Sequence, residues 1–154
     1  MPISKRYLDT NPQPIRFDVE ALAAALDQAL PEAVFVYLLG SAASGTVNAH
    51  SDIDFAAYLA AEGNAPAPPR EVDRVSFYDR AAEVVERLVG AVRCDLGILN
   101  TAEPVYRFEA LKGKLLFIRD REQWLRFYSI TCREYEHQMV HYEKQRRYRL
   151  EARA

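Results

Sequence analysis

Gly40-Ser41 is followed, ten residues later, by Asp52-Ile53-Asp54, a small-residue turn at a fixed distance from two carboxylates one residue apart. Such a turn can lay backbone N–H groups and a hydroxyl against a triphosphate, while the acids offer oxygen ligands to a Mg²⁺ ion that also touches the phosphate. That pairing suits nucleotidyl transfer, in which an acceptor oxygen attacks the α-phosphorus of a nucleoside triphosphate and pyrophosphate leaves. A third acid, Asp95 in VRCDLGILN, could complete a cradle for two Mg²⁺ ions that relieve the mutual repulsion of the carboxylates. Each element alone is ordinary, since Gly-Ser often follows a strand and Asp-x-Asp often caps a turn. The ordered combination is specific.

The elements that must position these residues are legible from apolar spacing. Ala33 to Leu39 is a β-branched and aromatic run stopped by Gly40, which places the Gly-Ser turn at a strand end. Ser51 to Leu59 reads as a second strand. Its alternation sets Asp52 and Asp54 on one face and Ile53 and Phe55 on the core face. In VRCDLGILN the apolar Val92, Cys94, Leu96 and Ile98 share a face, leaving Arg93, Asp95 and Gly97 on the other.

Around these strands, Asp18 caps a first helix whose Val19, Leu22, Leu26 and Leu30 recur at helical spacing before Pro31. Residues 1 to 17, with three prolines, read as an N-terminal arm, and residues 18 to 154 as one domain. EGNAPAPPR, residues 62 to 70, reads as an exposed connection. A helix from Arg70 to Val89 is predicted with Val75, Tyr78, Ala82, Val85 and Leu88 as its apolar stripe, then a short helix near 102 to 112 and a strand at Lys114 to Ile118. A terminal helix, 120 to 150, carries Trp124, Phe127 and Tyr128 for packing on the sheet. Tyr128, Tyr135 and Tyr142, seven apart, suit an interface.

Composition excludes more than it selects. Apolar residues make up 49% and charged residues 27%, so membrane-spanning and disordered classes lose their weight, and the start lacks the apolar core of a signal peptide. A cytoplasmic compartment is expected. The net charge of −2 provides no field for direct nucleic-acid binding. The local basic excess in KQRRYRLEAR, residues 144 to 153, fits a solvated helix end, where cations favour the C-terminal dipole, or contact with an acidic partner or RNA. Cys94 and Cys132 lack CxxC spacing and read as reduced, packed thiols. His137 and His141, four apart, have no HExxH context that would argue for zinc.

The segment LLGSAASGTVNAHSDIDFAAYLA, 38 to 60, resembles the signature of the polymerase-β-like nucleotidyltransferase superfamily, and specifically its minimal nucleotidyltransferase antitoxins. The signature is Gly-Ser, ten residues, Asp-x-Asp, filled here by Gly40, Ser41, Asp52 and Asp54, with the third carboxylate matched by Asp95. The resemblance implies an α/β (α+β) fold with a small mixed sheet flanked by helices and a long C-terminal helix. It implies Asp52, Asp54 and Asp95 as catalytic and metal-binding residues, Gly40 and Ser41 as nucleotide-binding residues, Mg²⁺ as cofactor and ATP as substrate. It further implies an antitoxin that attaches AMP to a tyrosine of a HEPN-domain ribonuclease toxin in a hetero-oligomer. One departure is Ser44, which precedes Gly45 where many relatives carry a basic residue; Arg93 is a candidate to take over that phosphate contact. Neutralisation by binding alone, with little catalysis, and transfer to a small molecule of the aminoglycoside type are the alternatives the same fold allows.

Overall fold

Asp18 fixes the entry to the first helix: its carboxylate accepts from the N–H groups of Glu20 at 3.0 Å and Ala21 at 3.2 Å. In the computed structural model, which describes residues 13–153, this helix is α1, Val19–Ala29, and it is preceded by a short strand β1, Ile15–Arg16. Residues 1–12 of the expected arm lie outside the described residues. The end of that arm is held in place, because β1 pairs antiparallel with β3, Thr46–Val47.

Strand β2, Ala33–Leu38, is buried at every position and is followed by a 3₁₀ helix over Gly40–Ser44. Strands β4, Ile53–Leu59, and β6, Lys114–Ile118, flank β2 in antiparallel register, and β5, Cys94–Ile98, joins the outer side of β4 in parallel. The result is a mixed four-stranded sheet in the order β5-β4-β2-β6. Helices α2, Arg74–Leu88, α3, Pro104–Leu111, and α4, Arg121–Glu151, complete the chain. The α+β class, the mixed sheet and the long final helix match expectation.

Because side chains alternate along a strand, β2, β4 and β6 each feed two cores. Ile53, Phe55, Ala57 and Leu59 of β4 pack with Leu22 and Leu26 of α1 and Phe77 and Val85 of α2. Ala56 and Tyr58 belong to the other face with Phe35, Tyr37, Ala110 of α3 and Phe127 of α4. There Phe35 stacks on Tyr58 at 5.0 Å between ring centroids, and Phe127 closes on both rings at 5.2 and 5.4 Å.

Three expectations are corrected. Helix α2 begins only at Arg74, after Asp73, whose carboxylate accepts from Val75 N and Ser76 N, and it buries Phe77, Ala81, Val84 and Val85. Val75 is 71% exposed and Tyr78 is exposed too, so the expected stripe is rotated off the true contact face; Phe77, not Tyr78, supplies the buried aromatic anchor. The segment 62–70 is tied down as well. Ala65 and Ala67 are buried, and the amide of buried Asn100 accepts from Leu59 N at 2.8 Å while donating to Leu59 O at 2.9 Å and Ala67 O at 3.0 Å. This distant side chain thus satisfies the Ala67 carbonyl of the proline-rich stretch, while Ala67 N donates to the Tyr58 hydroxyl and Arg70 N to Ala60 O. On α4, Trp124 Nε1 donates to the Tyr37 hydroxyl at 2.7 Å, and Phe127 is fully buried, as expected of a sheet-packing segment. Tyr135, expected at an interface, instead stacks on Phe108 of α3 with centroids 3.7 Å apart. Tyr128 and Tyr142 remain exposed.

Candidate active site

The turn after β2 is shaped by two glycines with positive φ. Gly40, at φ +62°, starts the 3₁₀ helix, and Gly45, at φ +86°, ends it in the left-handed region. Gly45 is also crowded, since a Cβ there would lie 3.2 Å from Phe17 O, the residue that donates its N–H back to Gly45 O at 3.0 Å. Ser44, the position without the expected cation, turns its hydroxyl onto Ser41 O at 2.8 Å and so stiffens the turn. The turn is tied to the acid strand through Leu39 N, which donates to Asp54 O at 2.9 Å.

The register of the sheet brings the acids together. Asp54 of β4 and Asp95 of β5 are direct partners in the parallel pair, and Ile53 N donates to Arg93 O at 2.9 Å just before it. Asp52 lies immediately before β4 rather than within it, because the strand begins at Ile53 and not at Ser51. Gly40, Ser41, Asp52, Asp54 and Asp95 nevertheless line one open cleft of about 500 Å³, together with Leu39, Ala42 and Ser51. All five residues expected from the sequence therefore meet. Arg93 stands at the rim, 4.0 Å from Asp52 through its Nε.

Burial pushes the Asp54 carboxyl above its ordinary range, and the neighbouring charges of Asp95 and then Asp52 push it further the same way. Directly behind the row, burial holds the Cys94 thiol up at about 12, so it is a packing group and no nucleophile at neutral pH. Its carbonyl accepts from the Tyr78 hydroxyl of α2, which anchors β5 from the opposite face.

The donor set suits a hard dication: oxygen ligands only, with neighbouring carboxylates whose charge already presses on Asp54. As placed, no three His, Cys, Asp or Glu side chains among the described residues close into a metal-holding group, so the carboxylates stand along the wall as an open set. The same holds for His137 and His141, which flank a groove on the far part of α4.

Sequence reading missed Tyr106 and Gly97. Tyr106 reaches from α3 onto Gly97 of β5, where a Cβ would fall 2.8 Å from the tyrosine Cζ. The signal was a glycine inside a strand pattern, which marks close approach of another group.

The family model described as "Polymerase beta, Nucleotidyltransferase" matches residues 20–122, from α1 through the turn, the three acids and the start of α4. The chain belongs to that family. Among solved structures, this nucleotidyltransferase is similar to a mutant of the toxin–antitoxin MntA–HpeT, with a TM-score of 0.61 and 20% identity over 82% of this chain and 94% of that chain. It is similar to a toxin–antitoxin with AMP-PNP, with a TM-score of 0.60 and 21% identity over 82% of this chain and 94% of that one. A third likeness is to a structure described as tri-AMPylated Shewanella oneidensis HEPN toxin in complex with MNT antitoxin, at TM-score 0.55 and 20% identity, covering 82% and 91%. At these identities the likeness establishes the fold. No curated protein matches the sequence.

Proposed function

We propose that this nucleotidyltransferase is a Mg²⁺-dependent protein adenylyltransferase that moves AMP from ATP to a tyrosine hydroxyl of a HEPN-domain toxin, acting as that toxin's antitoxin in a cytoplasmic hetero-oligomer. The observation that carries the reading is the in-register pairing of Asp54 with Asp95 beside the Gly40–Ser41 turn in one cleft. Support for the nucleotide comes from the likeness to a chain solved with AMP-PNP, and support for the acceptor from the likeness to a complex whose HEPN toxin carries AMP.

The turn binds the β- and γ-phosphates through its backbone N–H groups and the Ser41 hydroxyl. Asp52, Asp54 and Asp95 would hold Mg²⁺, which when bound neutralises charge developing on the phosphoryl oxygens. The acceptor oxygen forms a bond to the α-phosphorus as the bond from that phosphorus to the bridging oxygen breaks, and pyrophosphate leaves. The acceptor's proton passes to the Asp95 carboxylate and on to solvent. With Ser44 committed to the Ser41 carbonyl, Arg93, 4.0 Å from Asp52, takes the phosphate contact that Ser44 cannot make.

Asp52→Asn combined with Asp54→Asn, incubated with α-labelled ATP and the toxin, is expected to leave the toxin unlabelled. Transfer at the wild-type rate by a folded double variant would overturn the metal-site assignment. If the unlabelled toxin is still neutralised at matched expression, occlusion rather than chemistry accounts for the antitoxin effect.

A further inference from the structure

In an in-line displacement the attacking oxygen and the leaving group lie on opposite sides of phosphorus. The sheet order β5-β4-β2 sets the Gly40–Ser41 turn, which follows β2, on one side of Asp54, and Asp95 of β5 on the other. With the leaving pyrophosphate on the turn, the acceptor therefore enters over β5. The side chain that stands there is Tyr106.

Residues two apart on a strand share a face, so the pairs Asp54–Asp95 and Ala56–Gly97 form consecutive rows on the same face of the sheet. Gly97 contributes no side chain, and the Tyr106 ring occupies the space above it. A Cβ at that position would collide with the phenol oxygen and its ring carbon, so the glycine is what admits the tyrosine to this row. Tyr106 is 39% exposed, and among the described residues its hydroxyl has no hydrogen-bond partner. The other tyrosines packed against the sheet differ. Tyr37 accepts from Trp124, Tyr58 accepts from Ala67 N, and Tyr78 donates to Cys94 O. Tyrosine hydroxyls held at a packed surface ordinarily find a partner, and a free one beside a carboxylate pair is placed to serve a bound molecule.

We propose that Tyr106 is an acceptor-contacting residue of this site: its hydroxyl, seated over Gly97 one row from the Asp54–Asp95 pair, hydrogen-bonds the incoming acceptor hydroxyl and orients it toward the α-phosphorus. The proposal rests on the transferase reading above and goes beyond it by assigning the acceptor side of the cleft to α3.

The test is Tyr106→Phe, which keeps the ring over Gly97 and removes only the oxygen. Initial rates with α-labelled ATP and purified HEPN toxin, varied one at a time, are expected to show kcat/KM for the toxin falling roughly three- to tenfold, the range of one lost neutral hydrogen bond. KM for ATP and the thermal midpoint are expected to stay at wild-type values. Gly97→Ala, which displaces the whole ring, is expected to lower kcat/KM for the toxin further. An unchanged kcat/KM for the toxin in Tyr106→Phe, or a loss carried by KM for ATP, would overturn the assignment while leaving the transferase reading intact. Absence of toxin labelling by the wild-type protein would overturn both.

Discussion

The two faces of the four-stranded sheet are fed by the same strands and end differently. Beneath α1 and α2, the β4 residues Ile53, Phe55, Ala57 and Leu59 are all buried, so apolar packing runs from one end of the strand to the other. Beneath α3 and α4, the same strand offers Asp54, Ala56 and Tyr58, of which only the last two are buried. One residue of offset thus converts a closed core into an open row of acids backed by an aromatic stack. The first face supplies rigidity, and the second spends part of its area on a cleft that cannot be packed. Positioning groups on a rigid sheet is what in-line chemistry requires.

Breaking the acid row has the largest expected effect. Asp54→Asn is expected to lower the toxin-labelling rate by roughly a thousandfold or more, about 4 kcal/mol of barrier, measured with α-labelled ATP. The same substitution is expected to raise the thermal midpoint of the metal-free protein at neutral pH, because it removes a charge that burial, Asp95 and Asp52 all disfavour. Added Mg²⁺ should raise the wild-type midpoint and raise that of the variant less. A cut of the opposite kind, Phe127→Ala beneath α4, is expected to cost about 3–5 kcal/mol in denaturant unfolding by opening a cavity among Phe35, Tyr58 and the sheet. If the loss were below about 1 kcal/mol, the aromatic stack would not be what backs the acid row.

These residues show where the sequence was readable. Local signals carried far: the cap at Asp18, the stop at Gly40, the strand Lys114–Ile118 and the ten-residue spacing all depend on near neighbours, and the structure assembles them as expected. What escaped depends on partners far along the chain. Asn100 and the 62–70 segment meet only because the parallel pairing of β5 with β4 carries Asn100 to the end of β4. Gly97 showed its purpose only once α3 delivered Tyr106. On α2, Val75 and Phe77 both suit an amphipathic helix, and the neighbours α1 and β5 decide which faces in.

The Asn100 clamp gives the next smaller prediction. Asn100→Ala removes the partners of Leu59 N, Leu59 O and Ala67 O and is expected to cost about 1–3 kcal/mol. Hydrogen exchange is expected to quicken first at Leu59 N, the N–H that the Asn100 amide accepts. Uniform quickening across the sheet would show that the clamp supports the whole fold rather than its proline-rich edge.

The smallest expected effect sets a paired carboxylate against the unpaired row. On the α1–α2 side, Glu32 accepts from Arg80 through both oxygens, at 2.6 and 3.0 Å, and that hydrogen bonding holds its carboxyl below the ordinary range despite partial burial. A lowered folded pKa means stability that is present above the unfolded value, about 4.3 for Glu, and lost as pH falls through the folded value. Glu32→Gln is therefore expected to cost up to about 1 kcal/mol at pH 7, with the gap from wild type closing as the solution is acidified. Asp54 carries the opposite sign: its raised carboxyl stabilises the fold when protonated and opposes it when ionised, so the advantage of Asp54→Asn at neutral pH should shrink toward acid. Unfolding midpoints of the two variants against wild type across pH 3–7 separate the two cases. Parallel curves would mean that the two carboxylates experience the same environment, and the contrast between a closed face and an acid-bearing face would fail.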